Sequence, residues 1–168
     1  IQILRETRIG CHMISLFMAC ILFADDMTLM APTRTAMQQL LNLSAEYCTR
    51  YCLRFNVSKT KIMVFGKLNT SADSLARISL GGVFIDYVSS CRYLGFHIVS
   101  GKNFKFSFHE DLRGFFGSVN SILTCLIKPM QNVQLQLLYS NCVPKLTYGA
   151  PVKDLSANEK QQYKVAVN

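Results

Sequence analysis

The sequence predicts an α+β fold, and three observations predict it. Short apolar runs of strand length bracket polar turns at Asp25-Asp26 and at Gly81-Gly82. Two longer segments, beginning near Thr35 and Ser107, carry helix-start signals followed by apolar residues at helical spacing. Half of the 168 residues are hydrophobic, which suits one domain or a large piece of one with a core to bury.

In chain order, 1–10 has no initiator methionine and no cap sequence, and reads as the middle of something longer. His12 has no partner at metal-ligand spacing and reads as a structural or surface histidine. The stretch Ile21 to Met30, ILFADDMTLM, places two acids between apolar runs. It predicts an antiparallel hairpin, roughly 15–23 against 27–31, with Asp25 and Asp26 at the tight turn. Pro32 ends the second strand, because it cannot donate to a ladder. Thr35 and Gln38 have capping-box spacing, which predicts a helix to about Leu53. Met37, Leu40, Leu41, Ser44, Tyr47, Cys48 and Tyr51 fall on its core face. Cys48 and Cys52 lie one turn apart without a second pair, and read as buried thiols.

Residues 55–66 read as a loop into a strand that is apolar on both faces, hence buried. The polar loop 68–76 is the best internal boundary. A hairpin across Gly81-Gly82 follows, then one strand over 93–99 and a turn at 100–103. Ser107 and Glu110 form a second capping box. The helix it opens runs to about Ile127, with Leu112, Phe115, Phe116, Val119, Ile122, Leu123 and Leu126 on its apolar face, and Pro129 stops it. A further helix starts near Asn132 and is interrupted or ended by Pro144. The last stretch, 156–168, reads as helix without a C-cap, as though cut in mid-helix.

Adjacent carboxylates between buried strands repel each other and are costly to desolvate, and a divalent cation relieves both problems. Hard oxygens at a rigid turn suit Mg²⁺; a solvated Asp-Asp turn is the plain alternative. Lys59 and Lys61 read equally as solvated charge at the start of a strand. The net charge of +8 points to an acidic partner, nucleic acid before membrane, with ordinary solubility as the other reading. Seven cysteines at irregular spacing read as reduced thiols inside a cell, in nucleus or cytoplasm. The apolar run before Asp25 is too short to span a bilayer, so no membrane partner is expected.

Four motifs occur in order: Phe23-Ala24-Asp25-Asp26, then Asn56 to Lys61 (NVSKTK), then Tyr93-Leu94-Gly95, then Leu146 to Pro151 (LTYGAP). Over nearly the whole chain this set resembles the reverse transcriptases of non-LTR (LINE-type) retrotransposons. The resemblance implies a partial polymerase palm in 1–100, an antiparallel sheet with a catalytic hairpin and a packed helix carrying motifs C, D and E. It implies the start of a helical thumb in 101–168. The implied activity is RNA-directed DNA synthesis by a two-metal route with Mg²⁺, on an RNA template, a DNA primer and deoxynucleoside triphosphates. Asp25 and Asp26 are then catalytic metal ligands, and Lys59 matches the motif D lysine proposed to protonate the leaving pyrophosphate. Lys61, Arg92, Tyr93, Leu94 and Gly95 face nucleic acid, the last three as the primer grip. Phe23 stands where many reverse transcriptases have Tyr, a replacement common in the LINE-type enzymes. The departure from the pattern is larger upstream. No Asp precedes Asp25 and the only earlier acid is Glu6, so the motif A aspartate, the fingers and motif B have no counterpart. These residues alone are therefore expected to be inactive. The alternative is a non-catalytic basic remnant that binds nucleic acid or protein.

Overall fold

The computed structural model describes residues 2–66, 76–125 and 131–167. It is α+β, with six α-helices and small, mostly antiparallel sheets among the described residues. They form two compact units, one from 2–62 and 76–87, the other from 63–66 and 88–167.

The first unit is built around one helix. It begins with α1 (Gln2–Glu6), the hairpin β1 (His12–Met13) and β2 (Leu16–Phe17), and the hairpin β3 (Cys20–Phe23) and β4 (Asp26–Leu29). Then come α2 (Arg34–Arg50), β5 (Lys61–Ile62), the hairpin β6 (Ser79–Leu80) and β7 (Val83–Phe84), and β8 (Asp86–Tyr87). Leu40 and Leu41 are neighbours on α2, about 100° apart round the axis. Leu40 packs with Leu4, Ala19 and Cys20, and Leu41 with Ile62, Ile78, Leu80 and Ile85. The helix is thus the shared wall of two apolar clusters.

The helix start differs from expectation. Thr33, extended after Pro32, is the N-cap and accepts the Ala36 N–H at 3.2 Å. Thr35 lies inside the first turn. Gln38 is then free to act as a strand partner: its amide donates to the Ser79 carbonyl at 2.8 Å and accepts the Ser79 N–H at 2.9 Å. Tyr47 and Tyr51 stack on each other at 4.5 Å on the exposed part of the expected core stripe.

The second unit holds β9 (Ser90–Tyr93), β10 (Phe96–Val99) and β11 (Lys105–Phe106) in one antiparallel sheet, order β11-β10-β9. Its helices are α3 (Phe108–Cys125), α4 (Gln131–Leu137), a π-helical turn (Leu138–Cys142), α5 (Val143–Thr147) and α6 (Ala157–Val167). Phe108, Phe115, Cys142 and Leu146 make the core.

Four expected elements are cut differently. The apolar run 15–23 is not one strand. The backbone reverses at Ile14-Ser15, Met18 N–H goes to the Cys11 carbonyl, and the Ala19 carbonyl takes the Met30 N–H. Residues 93–99 are likewise two strands, because Leu94-Gly95 is a two-residue hairpin turn. The strand before Gly66 is only two residues, paired in parallel to β8, and Phe65 is exposed. Of the two readings at Pro144 the structure shows interruption: a π-helical turn ends just before α5, and Pro144 sits in the first turn of α5.

The Gly81-Gly82 hairpin forms as expected, with both glycines at positive φ. α3 starts at Phe108, but the Ser107 N–H that a capping box would give to Glu110 is donated to the His97 carbonyl at 2.8 Å. A full box closes instead at α6, where Glu159 accepts from the Ser156 hydroxyl (2.6 Å) and N–H (2.8 Å). Those bonds hold the Glu159 carboxyl below its usual range. The expected loop boundary at 68–76 falls almost wholly outside the described residues, as do Leu126, Ile127 and Pro129. None of the seven cysteines forms a disulfide, Cys52 is exposed, and burial raises the Cys48 thiol above its usual pKa.

Candidate functional site

The acidic turn is carried on an anchored hairpin. Cys20 pairs with Leu29 at the base and Phe23 with Asp26 at the tip. At the base, Ala19 and Cys20 are buried against Leu40, with Met27 and Leu29 packed on the cluster. At the tip, Ala24 adopts φ +51 and, with Asp25, makes the two-residue turn. Asp25 therefore sits in the turn and Asp26 opens β4, both exposed. Ile21, Leu22 and Phe23 are also exposed, at 41–60%. The carboxylates are thus not desolvated. What favours a cation here is their repulsion and the donor set, two hard oxygen groups on adjacent residues of a rigid turn. That set fits Mg²⁺ as a partial site: one or two carboxylates completed by water or phosphate oxygens. Among the described residues no group of three or more His, Cys, Asp or Glu side chains gathers to complete it.

The two lysines of the second motif divide. Asn56 closes a tight turn, its side-chain oxygen accepting from Ser58 (2.7 Å) and from the Lys59 N–H (3.2 Å), while Thr60 donates to its carbonyl (2.9 Å). The Lys59 side chain is exposed on that turn and has no acid partner among the described residues. Lys61, two residues on in β5, bonds Asp86 of β8 at 2.8 Å. This hydrogen bond and the ammonium charge hold the Asp86 carboxyl below its usual range. Lys61 is therefore largely occupied within the fold.

Arg92, Tyr93, Leu94 and Gly95 lie in the second unit. Arg92 is exposed on β9 opposite His97. Leu94 (φ +48) and Gly95 (φ +80) form the turn. The close approach that Gly95 permits is made by Tyr148: a Cβ on Gly95 would lie 2.8 Å from its ring. The Tyr148 hydroxyl donates to the Leu94 carbonyl at 2.9 Å. Gly149, at φ +66, leaves room for the Phe96 ring, which a Cβ would meet at 2.1 Å. Lys153 completes the joint: its ammonium bonds the Asp111 carboxylate at 2.5 Å, both buried, 5.3 Å from the Phe96 ring centre. The third and fourth motifs are therefore one structure. Sequence reasoning noted both but missed Tyr148, Gly149 and Lys153 as the residues that dock them. Their common feature in the sequence was only a Tyr-Gly pair beyond a proline.

A family model described as reverse transcriptase (RNA-dependent DNA polymerase) matches residues 2–98. Comparisons with curated proteins and with solved structures give no match.

Proposed function

The chain belongs to the reverse transcriptase family, whose model covers more than half of it, and from this premise we propose that it carries the catalytic hairpin of an RNA-directed DNA polymerase of the non-LTR retrotransposon class. The observation that carries the reading is the β3–β4 hairpin, which lies inside the matched residues with its base in the core and its two carboxylates exposed at the tip. The order of the four motifs along the chain supports the retrotransposon class. Asp25 and Asp26 would hold Mg²⁺, which supplies charge neutralisation to a two-metal nucleotidyl transfer. Lys59, uncommitted and fixed by the Asn56 turn, donates a proton to the leaving pyrophosphate, where negative charge develops.

On this reading residues 1–100 supply the later palm motifs and 101–168 begin the thumb. Tyr93, Leu94 and Gly95 position the primer end, with RNA template and deoxynucleoside triphosphates as the other partners. Tyr148 ties that turn to the end of α5.

The 168 residues by themselves make no DNA. Among the described residues no further acid gathers with Asp25 and Asp26, and lost positioning of the triphosphate alone costs ~7–11 kcal/mol of barrier reduction. The test is primer extension on an RNA template with Mg²⁺, with this chain and with one extended upstream to include a motif A aspartate. The extended protein is expected to make DNA and to lose that on Asp25→Ala. Extension by the short chain overturns its predicted inactivity. A chain that binds nucleic acid, yet whose extended form is inert, favours the second reading, a non-catalytic basic module, to which the net charge of +8 also points.

A further inference from the structure

We propose that an open pocket between α1 and the β1–β2 hairpin binds the phosphate of a nucleotide, with its nucleoside against the apolar lining residues. The pocket measures about 490 Å³ and is lined by Arg5, Arg8, His12, Ser15, Leu16 and Phe17. Two arginines, a histidine and a serine, all exposed to solvent, line it, and none of its lining residues among those described is an acid. Among the described residues neither arginine nor His12 has a carboxylate within 4 Å.

The backbone brings the two arginines together at a cost. After α1 the chain reverses through Arg8, which adopts φ +55, unusual for a residue with a side chain. The reversal is closed locally. Arg8 N–H donates to the Arg5 carbonyl at 3.2 Å, the Thr7 hydroxyl to the Leu4 carbonyl at 2.7 Å, and Ile9 N–H to the Thr7 hydroxyl at 3.2 Å. Leu4, buried with Ala19, Cys20 and Leu40, fixes α1 to the core. Two arginines that line one pocket without a carboxylate partner leave positive charge there, which an anion offsets. A guanidinium is weakly hydrated and presents a planar fork of donors that fits two phosphate oxygens. Two lining residues are apolar: Leu16 is half exposed and Phe17 meets the His12 ring edge-on at 5.4 Å. A phosphate fork beside an aromatic ring suits a nucleotide unit better than a bare anion. The volume lies within the range of small-molecule sites. Phosphate binding rests on the pocket alone; the choice of a nucleotide rests on the family reading above.

The source is either a single strand of nucleic acid or a free nucleotide, and the assay separates them. The full chain is titrated into a labelled single-stranded oligonucleotide and, separately, a labelled deoxynucleoside triphosphate. The pocket variant is Arg5→Gln with Arg8→Gln. The charge-matched control is Lys160→Gln with Lys164→Gln, exposed residues of α6. Arg5→Lys with Arg8→Lys keeps the charge and removes the fork. The pocket variant is expected to bind one of the two probes about tenfold more weakly than the control. If the strand is the ligand, its salt slope also falls by about 1.4, the value for two lost phosphate contacts. The lysine variant is expected to lie between. Equal binding by pocket variant and control, or no binding of either probe by the unaltered chain, overturns the proposal. Primer extension by the upstream-extended protein is scored separately, so a failed pocket leaves the polymerase reading standing.

Discussion

At the residue scale, Gly149 and Asp86 carry testable consequences. Gly149 combines a left-handed backbone with a ring lying where a Cβ would go. Gly149→Ala is expected to destabilise the second unit by on the order of 2–3 kcal/mol, through strain and overpacking together. Chemical denaturation reads this directly, and an unchanged midpoint refutes the packing described. Asp86 has a carboxyl pKa lowered chiefly by its hydrogen bond from Lys61. A lowered folded pKa means that the stabilisation is present above the unfolded value of about 3.9 and is lost as pH falls through the folded pKa. Both groups are partly or well exposed, so the contribution to stability is small and screened by salt. An NMR titration is expected to find Asp86 below the usual range, and Lys61→Met to return it there. An ordinary Asp86 in the unaltered chain contradicts the pairing. None of this was legible in the sequence, because Lys61 and Asp86 are 25 positions apart and their pairing depends on two parallel two-residue strands.

At the element scale, the joint between α3 and the segment after α5 rests on a buried charge pair. Asp111 and Lys153 are 9% and 3% exposed at their side chains. Breaking such a pair by removing one partner costs about 3–5 kcal/mol, whereas replacing both with apolar residues is often neutral or better. Asp111→Ala is therefore expected to lower stability by that amount, and Asp111→Leu with Lys153→Met to recover most of it. If the single substitution costs under about 1 kcal/mol in urea unfolding, the ion pair is solvated and the burial assigned here is wrong. Sequence reading placed the span of α3 well, but Phe116 and Leu123 of its expected apolar face are about half exposed, because periodicity does not say what lies against a face. It could not see Lys153 as interior, because a lysine near a chain end reads as surface until its carboxylate partner is known. The short strands show the same limit. Ile14 and Leu94 take left-handed conformations at hairpin turns without being Gly, Asn or Asp, so Ile14-Ser15 gave no local signal and Leu94-Gly95 gave only its glycine.

At the scale of the whole molecule, charge sets the expectation. Between Met27 and Arg113 there are eleven Lys and Arg against five Asp and Glu. Weak, sequence-independent binding to duplex is expected, falling steeply as salt rises, by about 0.9 in log affinity per log salt for each phosphate contacted. Filter binding at several salt concentrations measures this, and a flat response contradicts it. No helix among the described residues is long and apolar enough to cross a membrane. The exposed Ile21, Leu22 and Phe23 lie on a sheet that among the described residues has only two strands, which adds a solubility consequence. The isolated chain should self-associate more readily than one extended upstream.

The sequence by itself determined the acidic hairpin, the Gly81-Gly82 hairpin, the regions of α2 and α3, the excess of positive charge and the order of motifs that pointed to the family. Each is local: a period of two or 3.6, a turn residue, a run of neighbours along the chain. Tertiary structure alone decided which partners those pieces find. Gln38 pairs with Ser79 across 41 positions, Tyr148 with Leu94 across 54 and Lys153 with Asp111 across 42. Periodicity says which face of an element is apolar, but not what lies against it. That depends on long-range contacts whose loop-closure cost is repaid only once the whole core assembles.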